Sequence, residues 1–261
     1  AGEFPLDKAL IESLPALQLI ACFTSGYDGI DVDWCRARGL PVSHAPGVNH
    51  EDVADHALGL ILAARRQIAA GDRALRAGGW TVDAKMITPS LKDQRLGVVG
   101  LGSIGEAVAR RGDAMRMAVR WWGPREKESP WPRADTLLEL ARDSDILVVA
   151  CKADESNRGL ISRAVIEALG PQGLLVNVAR GQLVDETSLI AALKDGRLGQ
   201  AALDVFEEEP TDAARWADVP NTVLTPHTGG ATTEAVQGML TLLIQNLRAA
   251  FAGEPLKTPV P

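Results

Sequence analysis

Three short stretches carry the residue types that could do chemistry. Thr225-Pro226-His227-Thr228-Gly229-Gly230 sets a histidine between proline and glycines. Asn177-Val178-Ala179-Arg180-Gly181 ends an apolar run with an arginine, and Asp204 precedes the acidic run Glu207-Glu208-Glu209-Pro210. Taken singly, each has a plainer reading. A lone histidine is more often structural, an arginine past a strand caps a sheet edge, and a charge run is a solvated loop. Taken together they supply a cation, a proton donor and a carboxylate, each placed just after an apolar run. That set suits reduction of a carbonyl by hydride transfer from a bound nicotinamide.

The element that would position them lies upstream. Leu96, Val98 and Val99 form a short apolar run, followed by Gly100, Gly102 and Gly105 as Gly-x-Gly-x-x-Gly, a helical stretch over 106–115 and a second apolar run over 117–122. Strand, glycine turn, helix and strand are the context a dinucleotide fingerprint requires. Gly100 permits the tight turn, Gly102 lets backbone approach a pyrophosphate, and Gly105 lets the helix pack on the strand. The free N–H groups near Ser103 and Ile104 would face the phosphates with the helix dipole behind them. The second strand ends Trp121-Trp122-Gly123-Pro124-Arg125, with no acid before Glu126. An NAD site usually places Asp or Glu there to hold the ribose 2′-hydroxyl. A guanidinium at Arg125, with Lys127 behind it, suits a 2′-phosphate instead, so NADP is expected in preference to NAD.

The 261 residues suffice for one large domain or two modest ones. The net charge of −7 argues against a general nucleic-acid or anionic-membrane surface. The three cysteines, Cys22, Cys35 and Cys151, form no metal-spaced pair, so no metal site is expected. Reduced thiols, no spanning apolar run and no visible signal peptide suggest a cytoplasmic chain. Helices are expected over 6–14, 33–38, 51–70, 134–142, 163–169, 186–193 and 233–252. Strands are expected over 17–22, 41–44, 146–150, 174–178, 200–203 and 222–225. This alternation predicts an α/β fold with a doubly wound parallel sheet. Cys151, Arg180, Asp204 and His227 then fall at the carboxyl ends of successive strands, where such sheets bind ligands.

Along its whole length the sequence resembles the D-isomer-specific 2-hydroxyacid dehydrogenases, within them the glyoxylate/hydroxypyruvate reductase branch. The resemblance rests on Ser25-Gly26-Tyr27-Asp28 with Ile30-Asp31, Ala45-Pro46-Gly47-Val48, Val53-Ala54-Asp55-His56-Ala57, the fingerprint, and Ser144-Asp145. It continues through Asn177 to Gly181, Leu203-Asp204-Val205-Phe206 with Glu209-Pro210, and Thr225 to Gly230. It implies a Rossmann-type NAD(P)-binding domain over 77–231 and a smaller flavodoxin-like substrate domain over 1–76 and 232–261. The smaller domain looks truncated, because the family opens it with a strand, helix and strand ahead of the segment matching 7–14. The implied function is reduction of a small 2-keto acid. Arg180 would bind and polarise it, His227 would protonate the carbonyl oxygen, and Glu209 would pair with His227 and raise its pKa. Backbone at Ser25 and Gly26 would hold the substrate carboxylate, and Asp204 would meet the nicotinamide carboxamide. Cofactor contacts are further implied at Gly100, Gly102, Ser103, Ile104, Gly105, Gly123, Pro124, Arg125, Cys151, Val178, Ala179, Gly229 and Gly230. The helix after residue 50 would help form a homodimer. Two features depart from the family: Cys151 to Asn157 lacks its usual Pro and Thr, and Gly123 replaces the ribose-binding acid, as in the NADP-using branch. Alternatives are an NAD-dependent D-lactate or 3-phosphoglycerate-type dehydrogenase and a dinucleotide-sensing corepressor.

Overall fold

The structure is a computed structural model that describes residues 5–81, 83 and 86–260. The elements run α1 (Lys8–Glu12), β1 (Ile20–Ala21), α2 (Val32–Ala37), β2 (Val42–Ser43), α3 (His50–Arg65), α4 (Ile68–Arg76), β3 (Arg95–Val99), α5 (Ser103–Ala114) and β4 (Ala118–Trp122). They continue α6 (Leu137–Arg142), β5 (Ile146–Val149), α7 (Arg163–Leu169), β6 (Leu174–Asn177), α8 (Glu186–Lys194), β7 (Gln200–Leu203), α9 (Ala213–Trp216), β8 (Thr222–Leu224) and α10 (Thr233–Ala252). Contacts divide the chain into Ala1–Asp52 with Gly230–Pro261, and Val53–Gly229.

The smaller unit holds a two-stranded parallel sheet, β1 beside β2, with Ile20 opposite Val42. Its strands are shorter than the apolar runs 17–22 and 41–44 suggest. Ile11, Ile20, Cys22, Ile30, Cys35, Leu40 and Val42 are buried together. Asp7 and Asp31 cap α1 and α2 by accepting from the N–H groups of Ala9 and Trp34. α10 sets Ala235 and Met239 against Ala45. The buried Asn246 accepts from the Lys257 and Thr258 N–H groups, which stitches the tail back onto α10.

The larger unit is a six-stranded sheet in the order β4-β3-β5-β6-β7-β8, with every pair parallel. Its central strands β5 and β6 are apolar at every position except Asn177, the last residue of β6, because both faces are covered. Leu147, Val149 and Leu175 pack under α6, α7 and α8, while Ile146, Val148, Leu174 and Val176 pack under α3 and α5. Each fully buried Leu, Ile or Val side chain contributes about 1.5–3 kcal/mol. The path leaves β3 toward β4 and returns to β5 on its other side. The reversal between β3 and β5 is where ligands bind in such sheets.

Two boundaries differ from the sequence expectation. Most of α3 groups with the larger unit, so the division falls after Asp52, against the expected 76/77, and after Gly229, against 231/232. The cause is the stripe Val53, Ala54, Ala57, Leu60, Ile61 and Ala64, which is buried on the sheet. The single helix expected over 51–70 is also broken. Gln67 takes φ +52° and α4 restarts at Ile68. α3 ends at Arg65, which is buried and donates to the Gln172 carbonyl at 2.8 Å, to Gln200 Oε1 at 3.2 Å and to the Asp145 carbonyl. α4 buries none of its residues, so nothing holds it in line with α3.

Candidate active site

At the β3–α5 turn the three glycines answer three different demands. Gly100 has φ +90°, and a Cβ built there would lie 2.5 Å from Cys151 Cα. A Cβ at Gly105 would lie 1.9 Å from the Gly100 carbonyl oxygen, so helix and strand approach only without it. A Cβ at Gly102 would meet nothing within 4 Å. The protein itself does not require glycine at 102, whereas close approach of a pyrophosphate does. Gly102 is also the N-cap of α5 and offers no side-chain cap, which leaves the first-turn N–H groups near Ser103 and Ile104 for an anion. These residues fit a dinucleotide.

Cys151 follows β5 directly beside Gly100. Burial pushes its thiol pKa up to about 11, so it lines the turn as a small apolar group. The following 152–157 loop is shaped by Asp154, which caps the short turn Glu155–Asn157. At the end of β4, the Gly123 carbonyl accepts from Arg133 at 2.8 Å. Arg125 is exposed and meets no partner among the described residues. Lys127 donates to Glu106 and to the Leu101 carbonyl, each at 3.0 Å, so it is already engaged.

The chemistry-bearing residues meet beyond β6, β7 and β8. His227 Nδ1 lies 2.6 Å from Glu209 Oε2, and Glu209 Oε1 accepts from the Phe206 N–H at 2.9 Å. The carboxylate fixes the ring's orientation and tautomer, with Nδ1 carrying a proton toward Glu209. Burial works against the Glu209 carboxylate, yet His227, the Phe206 N–H and the charge of Arg180 hold its pKa below its ordinary value. Arg180 follows the buried Val178 and Ala179 at the end of β6, and Asn177 Nδ2 donates to its carbonyl at 2.9 Å. Gly181 seats this turn against the 205–209 loop, because a Cβ there would lie 1.8 Å from the Phe206 carbonyl carbon.

Asp204, assigned from the sequence to the cofactor, spends its carboxylate on the protein's own donors. It is 2% exposed and accepts from Thr225 Oγ1 at 2.6 Å, the Thr228 N–H at 2.9 Å and the Gly229 N–H at 2.8 Å. His56 Nε2 adds a fourth approach at 3.2 Å. A carboxylate has about four acceptor sites, and four donors converge on this one. Burial opposes its charge, but these hydrogen bonds outweigh burial and hold the Asp204 pKa well below the carboxylate range. His56 and Thr225 were not singled out from the sequence as site residues. The available signal was a polar residue inside the buried stripe of α3.

In the smaller unit the loop after β1 turns its carbonyls inward. The Thr24, Ser25 and Gly26 carbonyls accept from the Ala45 N–H, His44 Nδ1 and Thr24 Oγ1. Ser25 Oγ donates to the Ala45 carbonyl at 2.6 Å. No described residue accepts from the Ser25 or Gly26 N–H groups. Gly230 lies against Asn49, with 2.3 Å between a built Cβ and Asn49 Nδ2.

Residues 58–229 match the family model described as D-isomer specific 2-hydroxyacid dehydrogenase, NAD binding domain. The chain belongs to this family. The dehydrogenase is 42% identical to glyoxylate/hydroxypyruvate reductase A of Arabidopsis thaliana, over 97% of this chain and 82% of that one. It is also 42% identical to hydroxyphenylpyruvate reductase of Plectranthus scutellarioides, with the same coverage. Among solved structures, an NADPH-dependent glyoxylate/hydroxypyruvate reductase of Sinorhizobium meliloti, in complex with NADP and malonate, superposes with TM-score 0.92. That match is 36% identical and covers 98% of this chain and 82% of the other. Among the described residues, no helix of the dehydrogenase is long and apolar enough to cross a membrane, and no cluster of metal-binding side chains is present.

Proposed function

We propose that the dehydrogenase reduces glyoxylate or hydroxypyruvate to the corresponding 2-hydroxy acid, with NADPH preferred over NADH, and works as a homodimer. The observation that carries this reading is the Glu209–His227 pair, 2.6 Å apart at the carboxyl edge of a dinucleotide-binding sheet, within electrostatic reach of Arg180. NADPH, when bound, supplies the hydride. Arg180 holds the keto acid and draws electron density from its carbonyl. His227 gives the proton on Nε2 to the carbonyl oxygen while Nδ1 stays on Glu209. The unpartnered N–H groups of Ser25 and Gly26 take the substrate carboxylate. Residues 22–31 contain no cation, which disfavours a phosphorylated substrate.

The cofactor preference is supported by Arg125 and by the missing acid at the end of β4. The dimer is supported by exposed apolar side chains on and beyond α4: Ile68, Leu75 and Trp80 are 56%, 57% and 76% exposed. A panel of 2-keto acids that includes glyoxylate, hydroxypyruvate and 4-hydroxyphenylpyruvate, each with NADPH and with NADH, tests the reading by loss of reduced-cofactor absorbance. Fastest turnover of one of the two small acids with NADPH is expected. No oxidation with any member would sink the reductase reading, and a clear preference for the aromatic acid would reassign the substrate.

A further inference from the structure

We propose that His56 is a positioning residue: its Nε2–H, acting through Thr225 and Asp204, fixes the turn that carries His227. The proposal rests on the reading of His227 as the proton donor and adds a residue to it. Thr225 Oγ1 has one proton, and the 2.6 Å contact with Asp204 Oδ1 takes it. Toward His56 Nε2, 2.9 Å away, the same oxygen can only accept. Nε2 of His56 therefore carries hydrogen and serves Thr225 and, at 3.2 Å, Asp204 together.

The fixed carboxylate then sets two consecutive backbone groups, and the Asp204 main chain sets the one before them. Asp204 Oδ1 holds the Thr228 N–H, Oδ2 holds the Gly229 N–H, and the Asp204 carbonyl holds the His227 N–H at 2.8 Å. These bonds keep His227 at φ +52°, a region that favours glycine. The His56 ring is also a wall of the turn, because a Cβ at Gly229 would lie 3.4 Å from His56 Cδ2. Without the His56 proton, Thr225 can rotate away and Asp204 is a donor short. The His227 ring then loses the placement its proton transfer needs.

Glutamine can present a donor where His Nε2 stands, whereas asparagine reaches only the Nδ1 position and leucine offers none. The test compares His56→Gln, His56→Asn and His56→Leu for kcat, for NADPH Kd by fluorescence and for thermal unfolding. Nitrogen-15 NMR follows the imidazole rings of the chain's four histidines. Expected are a kcat lower by about tenfold to 10²-fold in the Asn and Leu variants, recovery toward the parent in the Gln variant, and a Kd within about twofold throughout. The parent His56 ring should show hydrogen at Nε2, and the His227 ring signal should broaden in the Leu and Asn variants but not in the Gln variant. Hydrogen only at Nδ1 of His56, a parent-like kcat in the Leu variant, or equal Gln and Asn variants would each overturn the proposal. The parent spectrum decides even if a variant fails to fold. His227→Ala is assayed alongside. Should it keep parent turnover, the proton-donor reading fails, and the His227 ring signal still decides whether His56 holds the turn.

Discussion

Two turns stand at the carboxyl edge of the large sheet, and they are built by opposite means. The β3–α5 turn works by lacking side chains. Gly100 and Gly105 let backbone meet backbone, and Gly102 leaves room for a ligand. The turn after β8 works by gathering side chains, with Asp204, Thr225, His56 and Glu209 all bonded to or around His227. The first turn presents uncharged N–H groups and binds without changing protonation. The second must present one proton at one nitrogen, so it needs a network that sets both position and charge. Steric demands govern the first and hydrogen-bond completeness governs the second.

The largest effect expected from breaking this contrast is on rate. His227→Ala should lower kcat by about 10² to 10⁴ while NADPH binding and the melting temperature stay near the parent values. A matching loss of NADPH affinity would mean that the two turns are not separable. Next in size, Arg125→Ala should weaken NADPH, but not NADH, by about 1.5–3 kcal/mol, the worth of a hydrogen bond to a charged group. Equal loss for both cofactors, measured by titration, would show that Arg125 only shapes the 123–128 loop.

Within the glycine turn, Gly105→Ala should destabilise the fold by about 1–3 kcal/mol in denaturant, since the added methyl strikes the Gly100 carbonyl. Gly102→Ala should leave stability unchanged and weaken NADPH. If the two variants behave alike, the division between internal packing and ligand approach is mistaken. The smallest effect is a shift in pH dependence. The Glu209 pKa is depressed, so its contribution to stability is full above the ordinary value of 4.5 and is lost as pH falls through the lowered folded value. The attraction that favours the carboxylate equally favours imidazolium. Glu209→Gln should therefore move the high-pH fall of the reduction rate to lower pH. Superimposable pH–rate profiles would uncouple Glu209 from the proton on His227.

The sequence made the glycine turn legible because its requirements are local: strand, spacing and helix lie within thirty residues. It made the fully apolar strands such as Ile146–Val149 legible for the same reason, since burial on both faces is written in consecutive letters. Resemblance points to Arg180, Glu209 and His227, yet the bonds that Asp204 makes within the chain are written in no local pattern. Its donors Thr225, Thr228 and Gly229 come from 21 to 25 residues away, and His56 meets Thr225 across 169. No spacing rule spans such distances. The break at Gln67 was hidden as well, because apolar periodicity continues past the point where Arg65 turns under the sheet. In the smaller unit, apolar runs overstated β1 and β2, since apolar letters mark burial there and only two residues of each run pair.

Arg65 has a consequence of a different kind. Its guanidinium joins carbonyls just ahead of β5 and β6, at the amino ends of the strands, opposite the ligand-binding edge. Burial lowers its pKa, and its Nε finds no partner. The loops it closes span 80 to 135 residues. Contacts of that sequence separation are entropically costly until the sheet has assembled, which predicts that the clasp forms late in folding. A bond absent from the folding transition state acts on the unfolding rate. Replacing Arg65 with Met is thus expected to speed unfolding while refolding stays near the parent rate, which stopped-flow kinetics would read.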